Sequence, residues 1–247
     1  MTDSILAGEN LPSRRNKRAT RKRGGWYFVR DLAVIVVIAI LASFLVKTFL
    51  VRSFYIPSGS MENTLQVNDR ILVNELVPNV VPLQHGDVVV FRDPGGWLPV
   101  TPKQQPANAL VGAGEWFLSL VGLASPDNND HLIKRVIGLP GDVIECCNAL
   151  GQMTVNGVPL DEPYVKLNGN QSVSGVNFKV TVPPDSLWVM GDNRYDSLDS
   201  RFNQDGPTKG FVPIKNVVGR AFVITWPFDR WSGLGNYPEV FNGVEKK

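Results

Sequence analysis

The stretch PSGSMENTL, residues 57–65, sets two serines one residue apart in a Pro-Ser-Gly-Ser turn. A serine hydroxyl is a poor nucleophile until a neighbouring base takes its proton. Histidine is the usual base, yet the chain has only His85 and His131, in Gln-His-Gly and Asp-His-Leu settings that read as turns, and neither points to a Ser-His-Asp arrangement. Lysine is the other candidate. In HLIKRVIGLPGD, residues 131–142, Lys134 stands in the middle of an apolar strand-like run, on the face opposite Ile133 and Arg135 if the strand alternates. A lysine at its ordinary pKa of about 10.4 is neutral in only about one molecule in 2,500 at pH 7. Burial disfavours the ammonium and lowers that value. A buried Lys134 beside a serine would therefore work as a general base near neutral pH, whereas a lysine snorkelling from an edge strand would not. These residues alone leave both readings open.

Metal and redox chemistry are less well supported. The carboxylates of GDNRYDSLDSR, residues 191–201, suggest a calcium loop, but an EF-hand needs Gly at the sixth position from Asp192 and Glu at the twelfth, where this chain has Ser197 and Asn203. No metal and no cofactor is expected. The two cysteines, Cys146 and Cys147, are adjacent and have neither CxxC nor His spacing for zinc. Across a trans peptide their Cα atoms would lie about 3.8 Å apart, short of the usual disulfide range, so a bridge would be strained; they read as structural or redox-incidental thiols, with a vicinal disulfide as the alternative.

What must position such a site starts with charge. Residues 11–30 carry eight Lys and Arg and no acid; with Asp3 and Glu9 the first thirty residues hold +6 of a formal net +2, leaving residues 31–247 at −4. A nucleic-acid patch is one reading of that run, but the adjoining segment favours another. Leu32 to Val51 is twenty residues with one charge, Lys47, and as a helix it would span roughly 30 Å, the thickness of a bilayer's hydrocarbon core. Trp26, Tyr27 and Phe28 supply interfacial aromatics, and basic residues ahead of a span stay cytoplasmic. A cleavable signal peptide fits less well, because no A-x-A site comes after Leu32–Val46. The sequence predicts a basic cytoplasmic tail over 1–30, one transmembrane helix over 31–51 and an extracytoplasmic domain over 52–247.

That domain, in a chain 43% hydrophobic with 23 Gly and 18 Pro, reads as mainly β. Strand-like runs at 70–76, 87–91, 133–137, 178–182, 187–190 and 217–225 alternate with turns such as Leu139-Pro140-Gly141-Asp142 and Asn156-Gly157. Asp93 to Asp130 breaks the pattern: Pro-rich at its start and apolar over Ala107–Leu123, it reads as a surface insertion packed on its own domain, with a second membrane contact as the alternative.

Taken together, PSGSMENTL, GDVVVF (86–91), IKRVIGLPGD (133–142) and GDNRYDSLDSR, in that order behind an apolar span, closely resemble bacterial type I signal peptidases. The resemblance runs to about residue 225, without the 93–130 insertion. It implies antiparallel sheets forming a signal-peptidase-like catalytic domain, with a small inserted β subdomain at about 141–180. By the same resemblance Ser60 is the nucleophile and Lys134 the general base. Ser58 matches the serine that forms the oxyanion hole with the Ser60 N–H, and Ser197 the serine that orients the lysine. Arg135, Asp199 and Arg201 match scaffold residues that form ion pairs. Phe54, Ile56, Pro57, Met61, Leu65 and Ile133 match positions lining shallow pockets for small substrate residues at −1 and −3, although on their own all six read as β-core. Asn63 and Leu132 depart from the family, which often has Pro and an aromatic residue there. The partners implied are signal-peptide-bearing preproteins, the lipid bilayer and the neighbourhood of the export channel, with no nucleic acid. The implied location is the bacterial plasma membrane, with the catalytic domain on its outer face. The nine residues from Val51 to Ser60 keep the nucleophile within about 30 Å of the end of the span. A self-cleaving Ser-Lys regulator shares the chemistry but would carry a DNA-binding domain and its own scissile segment. A membrane-anchored binding module without catalysis is the rival from another class.

Overall fold

The computed structural model of the protein describes residues 24–98 and 130–244. Most of the expected basic tail and nearly all of the expected 93–130 insertion, including the apolar Ala107–Leu123 stretch, lie outside these residues. The chain divides after Phe44 into two compact units. Among the described residues one α-helix, α1 (Gly24–Phe49), is built from the Val, Ile, Leu and Ala run, and strand β1 already begins at Val51. The helical segment thus stops two residues short of the expected boundary at 51. Among the described residues no helix is long and apolar enough to cross a membrane.

The second unit is made of antiparallel strands. Its larger sheet contains β1 (Val51–Tyr55), β2 (Arg70–Asn74), β3 (Val88–Arg92), β4 (His131–Gly138), β9 (Ser186–Met190), β10 (Val212–Pro213), β11 (Val217–Trp226) and β12 (Ser232–Gly233). Their spatial order is β1-β2-β11-β3-β4-β9-β10, with β12 added to β11. The smaller sheet, between β4 and β9 in sequence, contains β5 (Val143–Cys146), β6 (Met153–Val155), β7 (Val158–Pro159) and β8 (Phe178–Thr181) in the order β7-β6-β5-β8. Asn156 and Gly157, both at positive φ, make the two-residue turn that joins β6 to β7.

Strand β3 has no polar face. Val88 and Val90 pack with Phe54, Ile56, Ile71 and Ile133, while Val89 and Phe91 pack with Val136, Leu187 and Val189 on the other side. A strand buried on both faces reads as a continuous apolar run, which is why VVVF shows no alternation. Strand β4 is also interior, paired to β3 through Lys134↔Val89 and to β9 through Arg135↔Met190. The snorkelling alternative for Lys134 therefore falls, because that side chain does not lie on an edge. Register does more: with Met190 opposite Arg135, the chain leaving β9 at Gly191 runs directly beside Lys134.

Cys146 and Cys147 are joined as a disulfide, the alternative to the thiol reading, and the peptide between them is cis.

Candidate active site

The nucleophile candidate sits on one tight turn. Ser58 is extended, Gly59–Met61 forms a single 3-10 turn, and the Glu62 N–H closes it on the Gly59 carbonyl at 3.0 Å. Burial fixes the turn from behind, because Met61 and Leu65 are fully enclosed in the β1-β2-β3 core. Ser60 is left 8% exposed, its hydroxyl turned into a cleft.

Lys134 reaches it from β4. Its Nζ donates to Ser60 Oγ at 2.7 Å and to the Ile133 carbonyl at 2.9 Å, and the residue is only 4% exposed. Burial lowers its pKa from 10.5 to about 8, outweighing the opposing pull of the Asp199 and Asp192 carboxylates. At pH 7 about one molecule in ten then carries a free amine, against about one in 3,000 for an unperturbed lysine. A neutral amine at this position can accept a proton along the same 2.7 Å line while still donating to Ile133. Ser58 Oγ lies 3.5 Å from Ser60 Oγ. Ser197 lines the same cleft, but its buried hydroxyl has no hydrogen-bond partner among the described residues, so the contact to Lys134 that the resemblance implies is not made here.

Arg135 forks onto Asp192, with Nε to Oδ1 at 2.8 Å and a second bond to Oδ2 at 2.7 Å, both side chains fully buried. Its guanidinium lies 4.0 Å from the Tyr164 ring centroid. Arg201 pairs with Asp199 two residues away, and Asp199 also accepts the Gly191 N–H at 3.0 Å. A third buried fork, Arg194 on Glu162 at 2.6 and 2.9 Å, carries no signature in the sequence. Desolvating such pairs is expensive, so completed forks hold a geometry more than they add stability. Gly191 packs hard against the nucleophile turn: a Cβ there would meet Ser60 O at 2.4 Å.

The cleft encloses about 470 Å³ and is lined by Ser58, Ser60, Lys134 and Ser197 together with Trp97, Leu132, Tyr195, Leu198 and Phe202. Next to it a much smaller depression, about 20 Å³, is lined by Phe54, Ile56, Pro57 and Ile133, and Leu132 borders both. Met61 and Leu65 line neither and are buried in the core behind the turn, the reading they had on their own in the sequence. Sequence reasoning also missed Gly191, Asp192 and Asn193, although all three lie in a segment singled out for other residues, and it missed Trp97, which carried no signal. Among the described residues no cluster of His, Cys, Asp or Glu could hold a metal ion.

The model of the family described as signal peptidase, peptidase S26, matches residues 29–226. A signal peptidase I from Mycobacterium tuberculosis is 41% identical over 246 residues, 93% of this chain and 82% of its own. A probable signal peptidase I from Mycobacterium leprae is 40% identical over 83% of this chain and 79% of its own. A signal peptidase I from Leptolyngbya laminosa is 35% identical over 78% and 77%.

Proposed function

The chain belongs to the signal peptidase I family, peptidase S26, and from that premise we propose that it is a membrane-bound serine endopeptidase that removes N-terminal signal peptides from exported preproteins. The observation that carries the reading is the 2.7 Å contact between Lys134 Nζ and Ser60 Oγ in a buried setting that favours the free amine. Ser60 attacks the scissile carbonyl as Lys134 takes its proton, and Lys134 then passes that proton to the leaving amine. The Ser60 N–H and the Ser58 hydroxyl receive the developing oxyanion, and water resolves the acyl-enzyme. Ser197 orients the lysine once substrate is in place, and Arg135, Asp199 and Arg201 hold the walls. Cleavage occurs after small residues at −1 and −3. A depression of about 20 Å³ lined by Phe54, Ile56, Pro57 and Ile133 suits a methyl group and little more.

In the same reading, residues 1–30 are a cytoplasmic tail and 31–51 an anchor. Residues 52–247 are the catalytic domain on the outer face of the plasma membrane, close to the export channel, with an insertion at 93–130 and a small β subdomain at about 141–180. The apolar Leu32–Val51 run behind eight basic residues supports the anchor. Trp226, Phe228 and Trp231 support bilayer contact: they are 47%, 68% and 63% exposed and form one group of neighbouring rings. The test is to incubate a secreted protein's precursor with native protein and with Ser60→Ala, then sequence the product's N-terminus. One new N-terminus immediately after a small residue, absent with Ser60→Ala, is expected; the same product from Ser60→Ala would overturn the reading.

A further inference from the structure

The direction of the Ser60 N–H is set by the peptide it shares with the Gly59 carbonyl. In a planar trans peptide the C=O and N–H point to opposite sides, so whatever grips the Gly59 oxygen aims the Ser60 hydrogen. Two donors grip it: the Glu62 N–H at 3.0 Å, closing the turn, and Asn193 Nδ2 at 3.1 Å. Asn193 holds the next peptide as well, its own N–H donating to the Ser60 carbonyl at 3.1 Å. A single residue thus clamps the peptides on both sides of Ser60.

Asn193 is itself held. It is 2% exposed, and its Oδ1 accepts from Asn168 Nδ2 at 2.8 Å. An amide whose oxygen is engaged by a donor must turn its NH₂ the other way, here to Gly59 O and, more distantly, to Glu62 Oε2 at 3.5 Å. Lys166 brackets the segment, its N–H on the Asp192 carbonyl at 2.8 Å and its own carbonyl accepting the Arg194 N–H at 3.1 Å. Lys166 Nζ also donates to Glu62 Oε2 at 2.6 Å, but that pair is about a third or more exposed on both sides and contributes little. The arrangement therefore rests on Asn168 and Asn193.

We propose that Asn193 is a positioning residue for the reaction: by clamping the Gly59 and Ser60 carbonyls, and oriented by Asn168, it aims the Ser60 N–H at the oxygen of the tetrahedral intermediate. This rests on Ser60 being the nucleophile and its N–H an oxyanion donor. Asn193→Ala removes the grip on Gly59 O but keeps the backbone bond to Ser60 O. Asn168→Ala leaves Asn193 in place and frees its amide.

The experiment measures cleavage of a signal-sequence peptide by the full chain, together with the affinity of a peptide boronate, whose tetrahedral adduct needs the same donor, and of an uncleavable reduced-amide peptide, which does not. Complete loss of an oxyanion donor lowers kcat by about 10²–10³-fold, so mis-aiming one in Asn193→Ala is expected to lower it roughly 10–100-fold. KM and reduced-amide affinity should stay near native, boronate affinity should fall by the same factor as kcat, and the rising limb of the pH profile should not move, because neither Asn193 nor Asn168 bonds to Lys134. Asn168→Ala should show the same pattern at about 3–10-fold, and it carries the test if Asn193→Ala does not fold. Native kcat, or a loss with unchanged boronate affinity, or a loss with a displaced pH limb, would overturn the inference. Cleavage by Ser60→Ala at the native rate would remove the functional reading and this inference together. An inactive Ser60→Ala beside fully active Asn193→Ala and Asn168→Ala would remove this inference alone.

Discussion

Replacing Gly191 by Ala adds one methyl group at the point where the chain leaving β9 meets the nucleophile turn. The new Cβ would stand 2.4 Å from Ser60 O, 2.3 Å from Ser197 Oγ and 2.5 Å from Ser197 Cβ, where ordinary contact begins near 3.4 Å. The Ser197 side chain can rotate away, but the Ser60 carbonyl can clear the methyl only if its peptide retreats by about 1 Å, or if Gly191 does. Neither is free: Met61 is fully buried behind the turn, and the Gly191 N–H is fixed on Asp199 Oδ2 at 3.0 Å. A displacement of that size passed to Ser60 Oγ breaks its 2.7 Å contact with Lys134. Misplacing reacting groups by about 1 Å lowers rates on the order of 10²-fold. Overpacking costs about 1–3 kcal/mol, which a domain of this size survives with a Tm lower by several degrees. Gly191→Ala should therefore be folded and about 100-fold lower in kcat/KM on a signal-sequence peptide, with thermal unfolding recorded beside it. A folded variant within about threefold of native activity would show that the turn yields without losing its aim, and the steric reasoning would be wrong.

Three other outcomes are expected. Only the free amine of Lys134 accepts a proton, so kcat/KM should rise about tenfold per pH unit and level off near pH 8; a flat profile between pH 5 and 9 would exclude lysine as the base. The same lysine is protonated in both the folded and unfolded states below pH 8, where its burial penalises folding. Relative to Lys134→Met, the native protein should gain about 3 kcal/mol as pH rises from about 8 to 10.5, measured by denaturant unfolding; a constant difference would contradict it. Glu162→Ala strands a fully buried Arg194 and should destabilise by about 3–5 kcal/mol, while Glu145→Ala, which removes an exposed partner of Lys179, should cost under about 1 kcal/mol; equal effects would refute the distinction.

The parts of the site legible in the sequence were those with a local signature. Two serines in a Pro-Ser-Gly-Ser turn and a lysine inside an apolar run are anomalies that a short window exposes, and each of the six strand-like runs overlaps a strand. What the window cannot contain is pairing across the fold. Arg135 meets Asp192, fifty-seven residues away, because β4 and β9 are neighbours in one register, and no spacing rule selects that carboxylate over Asp199. Asn193 grips Gly59 from 134 residues away, and its chemistry is a single amide with no motif of its own. Met61 and Leu65 looked like either pocket or core, and only the enclosed volume behind the turn decides between them. The cysteine pair had two readings, thiols or a vicinal bridge, and spacing alone does not choose between them.

Catalysis by this route depends most on a neutral amine at Lys134, and the direct measurement is that residue's own titration. Following the ¹³Cε resonance of Lys134 across pH 6–12, assigned by its loss in Lys134→Met, should give a midpoint near 8, well below the ordinary 10.5. A midpoint at or above 10.5 would leave Ser60 without a base and contradict the mechanism at its centre.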